Sequence, residues 1–189
     1  MLEIRWHGRG GQGAKTASQL LAVAFLKTGR YVQAFPEYGP ERTGAPILAY
    51  TRVDECPIRI HAAITEPNIA VVMDPSLLSE QNVAEGLGSE GVLIVNIGQA
   101  GRALDLSRFP VTVLSVPGDE MALNTGSRYA NTVMVGVVGA WLGEPSREIL
   151  LEASIEVLAR LPISVRNAAQ QAIAEGFRYG LGMVPLGRR

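Results

Sequence analysis

The chain has 189 residues, enough for one domain with a sizeable core, and its 47% hydrophobic and 19% charged content excludes a disordered protein. A net charge of −1 gives no electrostatic footing for nucleic acid or an anionic membrane. No apolar run reaches the roughly 18–20 residues that span a bilayer, and charge and glycine occupy the N-terminus where a signal peptide needs an apolar core. These features predict a cytoplasmic protein. One cysteine, Cys56, excludes an intramolecular disulfide and an all-cysteine metal or iron–sulfur site within the chain; its apolar setting beside Pro57 predicts a buried structural thiol.

In chain order, residues 2–6 alternate, with Leu2, Ile4 and Trp6 on one side and Glu3 and Arg5 on the other, which predicts a strand. Gly8, Gly10 and Gly13 follow with G-x-G-x-x-G spacing. Ala17, Leu20, Leu21, Ala24 and Phe25 have helical spacing, and Gly29 reads as the left-handed residue that ends the helix. A second strand over 31–35 completes a βαβ unit. Residues 36–46 carry prolines and glycines that break regular structure, and the segment is expected beside the glycine loop. Further strands are predicted over 47–53, 56–62, 69–73, 92–97 and 111–116.

Asp74 reads as the cap of a helix with Pro75 in its first turn, and residues 117–119 open a short helix toward Leu123. Residues 129–142 predict a helix that is apolar nearly all round, so it is buried in the domain or against a partner. Gly136 and Gly139 would let another backbone approach it. Two more helices follow, over 147–160 and from a cap at Ser164 toward Gly180, with a tail after that. The fold class is α/β: a single Rossmann-like domain over 1–189, with a mostly parallel sheet and a helical C-terminal portion.

A strand that turns through glycines into a helix presents free N–H groups and the positive end of the helix dipole to an anion. The spacing alone suggests a dinucleotide. However, the acidic residue that a Rossmann site places after its second strand is missing, unless Glu37 serves. The P-loop pattern and a G-x-S-x-G elbow are absent, and His7 and His61, far apart, suggest no metal site, although His7 adjoins the glycine loop and is a candidate site residue. No catalytic constellation is self-sufficient. His61 reads as structural, and Asp74, Asp119 and Glu120 read as caps.

The combination of Gly8-Arg9-Gly10-Gly11-Gln12-Gly13, then Phe35-Pro36-Glu37-Tyr38-Gly39-Pro40-Glu41-Arg42 and Gly44-Ala45-Pro46, then Asn131 opening an apolar helix, resembles the gamma subunit of 2-oxoacid:ferredoxin oxidoreductases. The Gly44-Ala45-Pro46 variant is similar to the pyruvate branch. The resemblance implies a complex that oxidatively decarboxylates a 2-oxoacid, transfers the acyl group to coenzyme A and passes electrons to ferredoxin or flavodoxin. Alpha and beta subunits would hold thiamine diphosphate, and beta and delta subunits the iron–sulfur clusters. This chain would be non-redox and inactive alone, covering the active site and contributing to coenzyme A binding.

The glycine loop, Gly8 and Gly10 to Gly13 with Gln12, would then take the diphosphate. Arg9, Lys15 and Arg42 would pair with phosphates, Tyr38 beside Gly39 would pack on adenine or pantetheine, and Asn131 would hydrogen-bond the ligand. A homo-oligomer is expected when the chain is alone. The alternatives are a stand-alone NAD(P)-dependent reductase and a purely structural subunit.

Overall fold

The computed structural model describes residues 1–37, 44–98 and 104–185. β1 (Leu2–Arg9) is the axis of the molecule. To one side it pairs antiparallel with β3 (Pro46–Asp54), which pairs antiparallel with β2 (Tyr31–Glu37). To the other side it pairs parallel with β4 (Ile69–Val72), then β5 (Val92–Asn96) and β6 (Thr112–Val116). The order is β2-β3-β1-β4-β5-β6, and only β3 runs against the rest. The chain first builds outward from β1 to the β2 edge and then returns to extend the sheet through β4. The carboxyl end of β1 is therefore a topological switch point, where open α/β sheets bind ligands.

Helix α1 (Ala14–Lys27) follows the glycine loop and packs on one face of the sheet with α4 (Asn131–Leu142), α5 (Arg147–Val157) and α6 (Ile163–Met183). The even positions of β1, Ile4 and Trp6, face this layer and are fully buried. Trp6 Nε1 donates to Thr51 Oγ1 at 3.0 Å, and that hydroxyl donates to the Ser18 carbonyl at 3.0 Å, so both buried polar groups are satisfied. The opposite face is thinner, with α2 (Leu77–Glu80) and loops covering Ala70, Val72, Leu93 and Val95. The N-cap of α2 is Ser76 rather than Asp74, which instead forms the turn before it, its Oδ1 accepting from the Ser76 amide at 3.0 Å. Residues Gly118–Asn124 form α3, as the Pro-Gly-Asp start predicts.

The apolar helix α4 lies inside this chain. An added Cβ on Gly136 would come within 2.2 Å of the Ile173 carbonyl of α6, and one on Gly176 within 2.1 Å of the Val133 carbonyl of α4. The two helices touch backbone to backbone, so the all-round hydrophobicity reflects an internal position. At Gly139 the approaching neighbour is the Leu150 side chain.

Several sequence expectations shift. Residues 56–62 form no strand. Pro57 cannot donate to a ladder, and the carbonyls here are instead taken by side chains: Gln33 Nε2 donates to Ile58, and the buried Arg52 guanidinium donates to Ile60 and Ala63, each at 3.4 Å. Cys56 is exposed rather than buried, because Asp54 Oδ1 accepts from the amides of Glu55 and Cys56 and turns the chain out of the sheet. His61 is likewise exposed, in irregular structure. Helix α4 begins at Asn131 rather than 129, since residues 127–130 turn before it. Helix α6 begins at Ile163 with Pro162 at its N-cap, which leaves Ser164 inside the first turn. The βαβ unit is present, but β3 lies between β1 and β2. No described helix is long and apolar enough to cross a membrane.

Candidate functional site

The strand of β1 runs on through Gly8 and Arg9, and the loop turns at Gly11 and Gly13, with φ of +95° and +83°. A side chain at either position would be strained, and at Gly13 its Cβ would also lie 2.4 Å from Asn131 Nδ2. At Gly8 an added Cβ would sit 3.2 Å from the Ala14 Cβ, so this glycine serves the close packing of strand on helix.

Gly10 is not free to bind a ligand through its amide. Its N–H donates to the Ala45 carbonyl at 2.9 Å, and its carbonyl accepts from the Gly44 amide at 3.2 Å. The described end of the Pro/Gly segment therefore lies beside the glycine loop, as expected. Gln12 is a brace: its Oε1 accepts from the Arg9 amide at 2.8 Å and its Nε2 donates to Asp74 Oδ2 at 2.7 Å. The amide of Gly11 and those of Gly13, Ala14, Lys15 and Thr16 at the start of α1 find no acceptor among the described residues. Four orphan donors are normal at a helix start, and here no side chain caps them.

Of these residues Gly11, Gly13 and Thr16 line a cavity of about 390 Å³. Gly11, Gly13 and Thr16 form one wall; residues 126–129, Asn131 and Thr132 form the second; Leu158, Leu161, Val165, Ala168 and Ala169 form the third. The N-termini of α1 and α4 both point into it, so two positive helix ends converge. Among the described residues no carboxylate lines the cavity, and Arg128 is the cation among those that do. Asn131 sits at the junction, its Nδ2 donating to the Gly13 carbonyl at 3.4 Å. Thr16, Arg128 and Thr132 are additions the sequence reading missed. The G-S-R-Y run before α4 carried no recognisable signal, and only the fold brings it to the loop. A larger open cleft of about 790 Å³ lies between α3, α5 and α6, away from the loop; its Arg147 and Arg178 are each paired to a neighbouring glutamate.

The other predicted residues divide. Lys15 is exposed in the first turn of α1 and makes no ion pair among the described residues. Arg9 projects to the opposite face of the sheet. Its guanidinium pairs with Glu80 and, at 3.4 Å, with Asp74, and it donates to the Gly44 carbonyl at 3.1 Å. Burial alone would raise the Asp74 carboxyl, but hydrogen bonds from Ser76 and Gln12 and the charge of Arg9 outweigh it and hold it below its ordinary range. Tyr38, Gly39 and Arg42 lie outside the described residues.

Glu37 accepts a hydrogen bond from the Tyr50 hydroxyl at the end of β2. Two strand spacings, about 10 Å, separate β2 from β1, whereas a Rossmann acid stands on the strand next to the glycine loop.

Beneath Arg9 on the same face, Arg5 and His7 form a buried polar line. Arg5 Nε donates to His7 Nε2 at 3.1 Å, and the rest of the guanidinium donates to the carbonyls of Ile64, Val83 and Glu85. His7 Nδ1 is 3.3 Å from Gln81 Oε1, which fixes a neutral tautomer with the proton on Nδ1. Burial, reinforced by the Arg5 charge, lowers the His7 pKa to about 4. His7 is thus a neutral strut at working pH, turned away from the cavity. Among the described residues no group of three or more potential metal ligands occurs.

Comparison with known proteins agrees with this architecture. The family described as pyruvate ferredoxin/flavodoxin oxidoreductase matches residues 3–179. The pyruvate/ketoisovalerate oxidoreductases common subunit gamma of Thermococcus kodakarensis is 44% identical over 185 residues, 96% of this chain and 100% of that one. Pyruvate synthase subunit PorC of Thermotoga maritima is 41% identical over 179 residues, 93% of this chain and 92% of its own. The crystal structure of pyruvate oxidoreductase subunit PORC from Thermotoga maritima superposes with a TM-score of 0.78 at 36% identity, covering 94% of this chain and 95% of that one. The fold recurs at 17% identity, TM-score 0.77, in 2-oxoglutarate:ferredoxin oxidoreductase from Magnetococcus marinus, solved with 2-oxoglutarate, coenzyme A and succinyl-CoA bound; 96% of this chain matches 31% of that one. With the match spanning nearly the whole sequence, the chain belongs to the pyruvate ferredoxin/flavodoxin oxidoreductase family, among its gamma subunits.

Proposed function

We propose that this chain is the non-redox gamma subunit of a pyruvate:ferredoxin or flavodoxin oxidoreductase, that it covers the thiamine diphosphate site of its partners, and that it supplies part of the coenzyme A site. One observation carries the coenzyme A reading: the amides of Gly11 and Gly13, without acceptors among the described residues, and the N-terminus of α4 converge on one cavity with no carboxylate among its described lining residues. That arrangement suits a diphosphate, whose charge interacts with helix ends and backbone N–H groups without needing a dedicated side chain. Asn131 holds the turn in place. The apolar third wall, with Leu161 and Val165 partly exposed, suits the pantetheine arm of the same ligand. The coenzyme A bound in the Magnetococcus complex belongs to a protein of this fold.

The decarboxylation chemistry belongs to thiamine diphosphate and the electron transfer to iron–sulfur clusters, which this reading assigns to alpha, beta and delta subunits. What this chain's residues do is bind and orient the acyl acceptor and exclude water from the joint site. The chain alone then shows no oxidoreductase activity, and activity appears on reconstitution with its partners. Substituting Gly13 with Val should raise the KM for coenzyme A while the KM for the 2-oxoacid stays constant. An unchanged coenzyme A dependence in a normally assembled complex overturns the ligand role.

A second reading is that the loop is a purely structural turn, and the Asn131–Gly13 hydrogen bond favours it, since it already ties the loop to α4. The same measurement separates the two. The stand-alone NAD(P) reductase loses its geometric basis with β3 interposed beside β1.

A further inference from the structure

The cavity beside the glycine loop contains two groups that the loop itself does not account for. Thr132, in the first turn of α4, is only 3% exposed, yet its Oγ1 has no hydrogen-bond partner among the described residues. A buried hydroxyl without a partner is costly, and such groups are rare in folded proteins. So close to the helix start there is no carbonyl a full turn back within α4 for it to use. Thr132 lines the cavity, next to the amides of Thr132 and Val133, which also lack acceptors among the described residues.

Arg128 lies on the same wall. Its guanidinium is 5.2 Å from the centre of the Tyr129 ring and forms no ion pair among the described residues. Arg9, the cation in the glycine motif itself, is already neutralised by Glu80 and Asp74 on the other face of the sheet. The charge available to an anion in the cavity is therefore that of Arg128.

We propose that Thr132 and Arg128 are ligand-binding residues of the coenzyme A site: the Thr132 hydroxyl donates to a diphosphate oxygen at the cavity floor, and Arg128 supplies the counter-charge at its rim. The assignment rests on the coenzyme A reading of the glycine loop and adds the other half of the site. It makes the start of α4 and the turn before it, not the arginine of the glycine motif, the source of side-chain contacts to phosphate.

The test is the coenzyme A dependence of the reconstituted complex, with assembly of each variant checked by gel filtration. Thr132→Val keeps the shape and removes the hydroxyl; losing one hydrogen bond to a charged group should raise the KM for coenzyme A about tenfold. Thr132→Ser should restore it, and Arg128→Gln should raise it by a similar factor. In each case the KM for the 2-oxoacid and kcat at saturating coenzyme A should hold. The same factor should appear with dephospho-coenzyme A, which keeps the diphosphate. If it vanishes there, the diphosphate assignment is wrong.

If Thr132→Val and Arg128→Gln leave the KM within about twofold while Gly13→Val raises it, the proposal falls and the coenzyme A reading stands. The proposal also falls if Thr132→Ser behaves like Thr132→Val. If Gly13→Val leaves coenzyme A dependence unchanged as well, the reading beneath it fails too.

Discussion

The two faces of β1 carry polar groups of opposite character. On the α2 face, Arg5, His7 and Arg9 each meet full sets of partners: three carbonyls and an imidazole for Arg5, Arg5 and Gln81 for His7, two carboxylates and a carbonyl for Arg9. On the α1 face, at the carboxyl end of the same strand, the Gly11 and Gly13 amides and the Thr132 hydroxyl have no partner among the described residues around a cavity. A satisfied network fixes loops, and an unsatisfied one awaits a ligand. Charge in a sequence motif is therefore a poor guide to which groups stay free: the motif's arginine is a strut, and the groups around the cavity that lack partners among the described residues are largely backbone amides.

The sharpest way to break this contrast is at Arg5. Arg5→Met removes the donor that holds Ile64, Val83 and Glu85 and leaves buried carbonyls unpaired, so urea unfolding should show a loss of about 3 kcal/mol. A loss below about 0.5 kcal/mol, the scale of an ordinary surface change, would end its role as a strut.

His7 comes next. Its folded pKa of about 4 lies below the ordinary 6.5, so the unfolded chain takes up a proton first as pH falls. The stabilisation is complete above pH 6.5 and is lost between 6.5 and about 4, a total of about 3 kcal/mol at most. Unfolding midpoints at several pH values should show a decline that His7→Gln flattens. An equal decline in both proteins would place the titration elsewhere.

On the other face, Gly13→Val forces a branched residue to φ near +83° against Asn131. The strain should cost about 1–3 kcal/mol, read as a lower melting temperature alongside the coenzyme A effect. The smallest change is expected at Arg9. Arg9→Gln breaks partly exposed ion pairs, worth about 0–1 kcal/mol, and should leave the KM for coenzyme A within about twofold. A larger rise would mean that Arg9 turns to the ligand in the assembled complex, and the contrast between the faces would not hold there.

Much of the scaffold was readable in the chain. Helix α1, its Gly29 terminus, the buried parallel strands and the apolar α4 each have a local periodicity that a packed sheet-and-helix domain preserves. The 56–62 segment misled because its apolar content mimics a strand, while the fold satisfies its carbonyls from Arg52 and Gln33. Cys56 misled for a related reason: exposure depends on where β3 ends, and the Asp54 turn ends it.

By itself the sequence determined the glycine turn, since only glycine adopts the positive φ at Gly11 and Gly13 without strain, and with it the position of a helix N-terminus at residue 14. It also determined the family, through the joint glycine and Tyr-Gly-Pro-Glu-Arg motifs. The tertiary structure alone decided which side of the sheet each motif residue faces, that β3 separates β1 from β2, and that Arg128 and Thr132 join Gly13 at one cavity. Those are long-range facts. They depend on strand order and on the packing of α4 against α1 and α6, which no local spacing encodes.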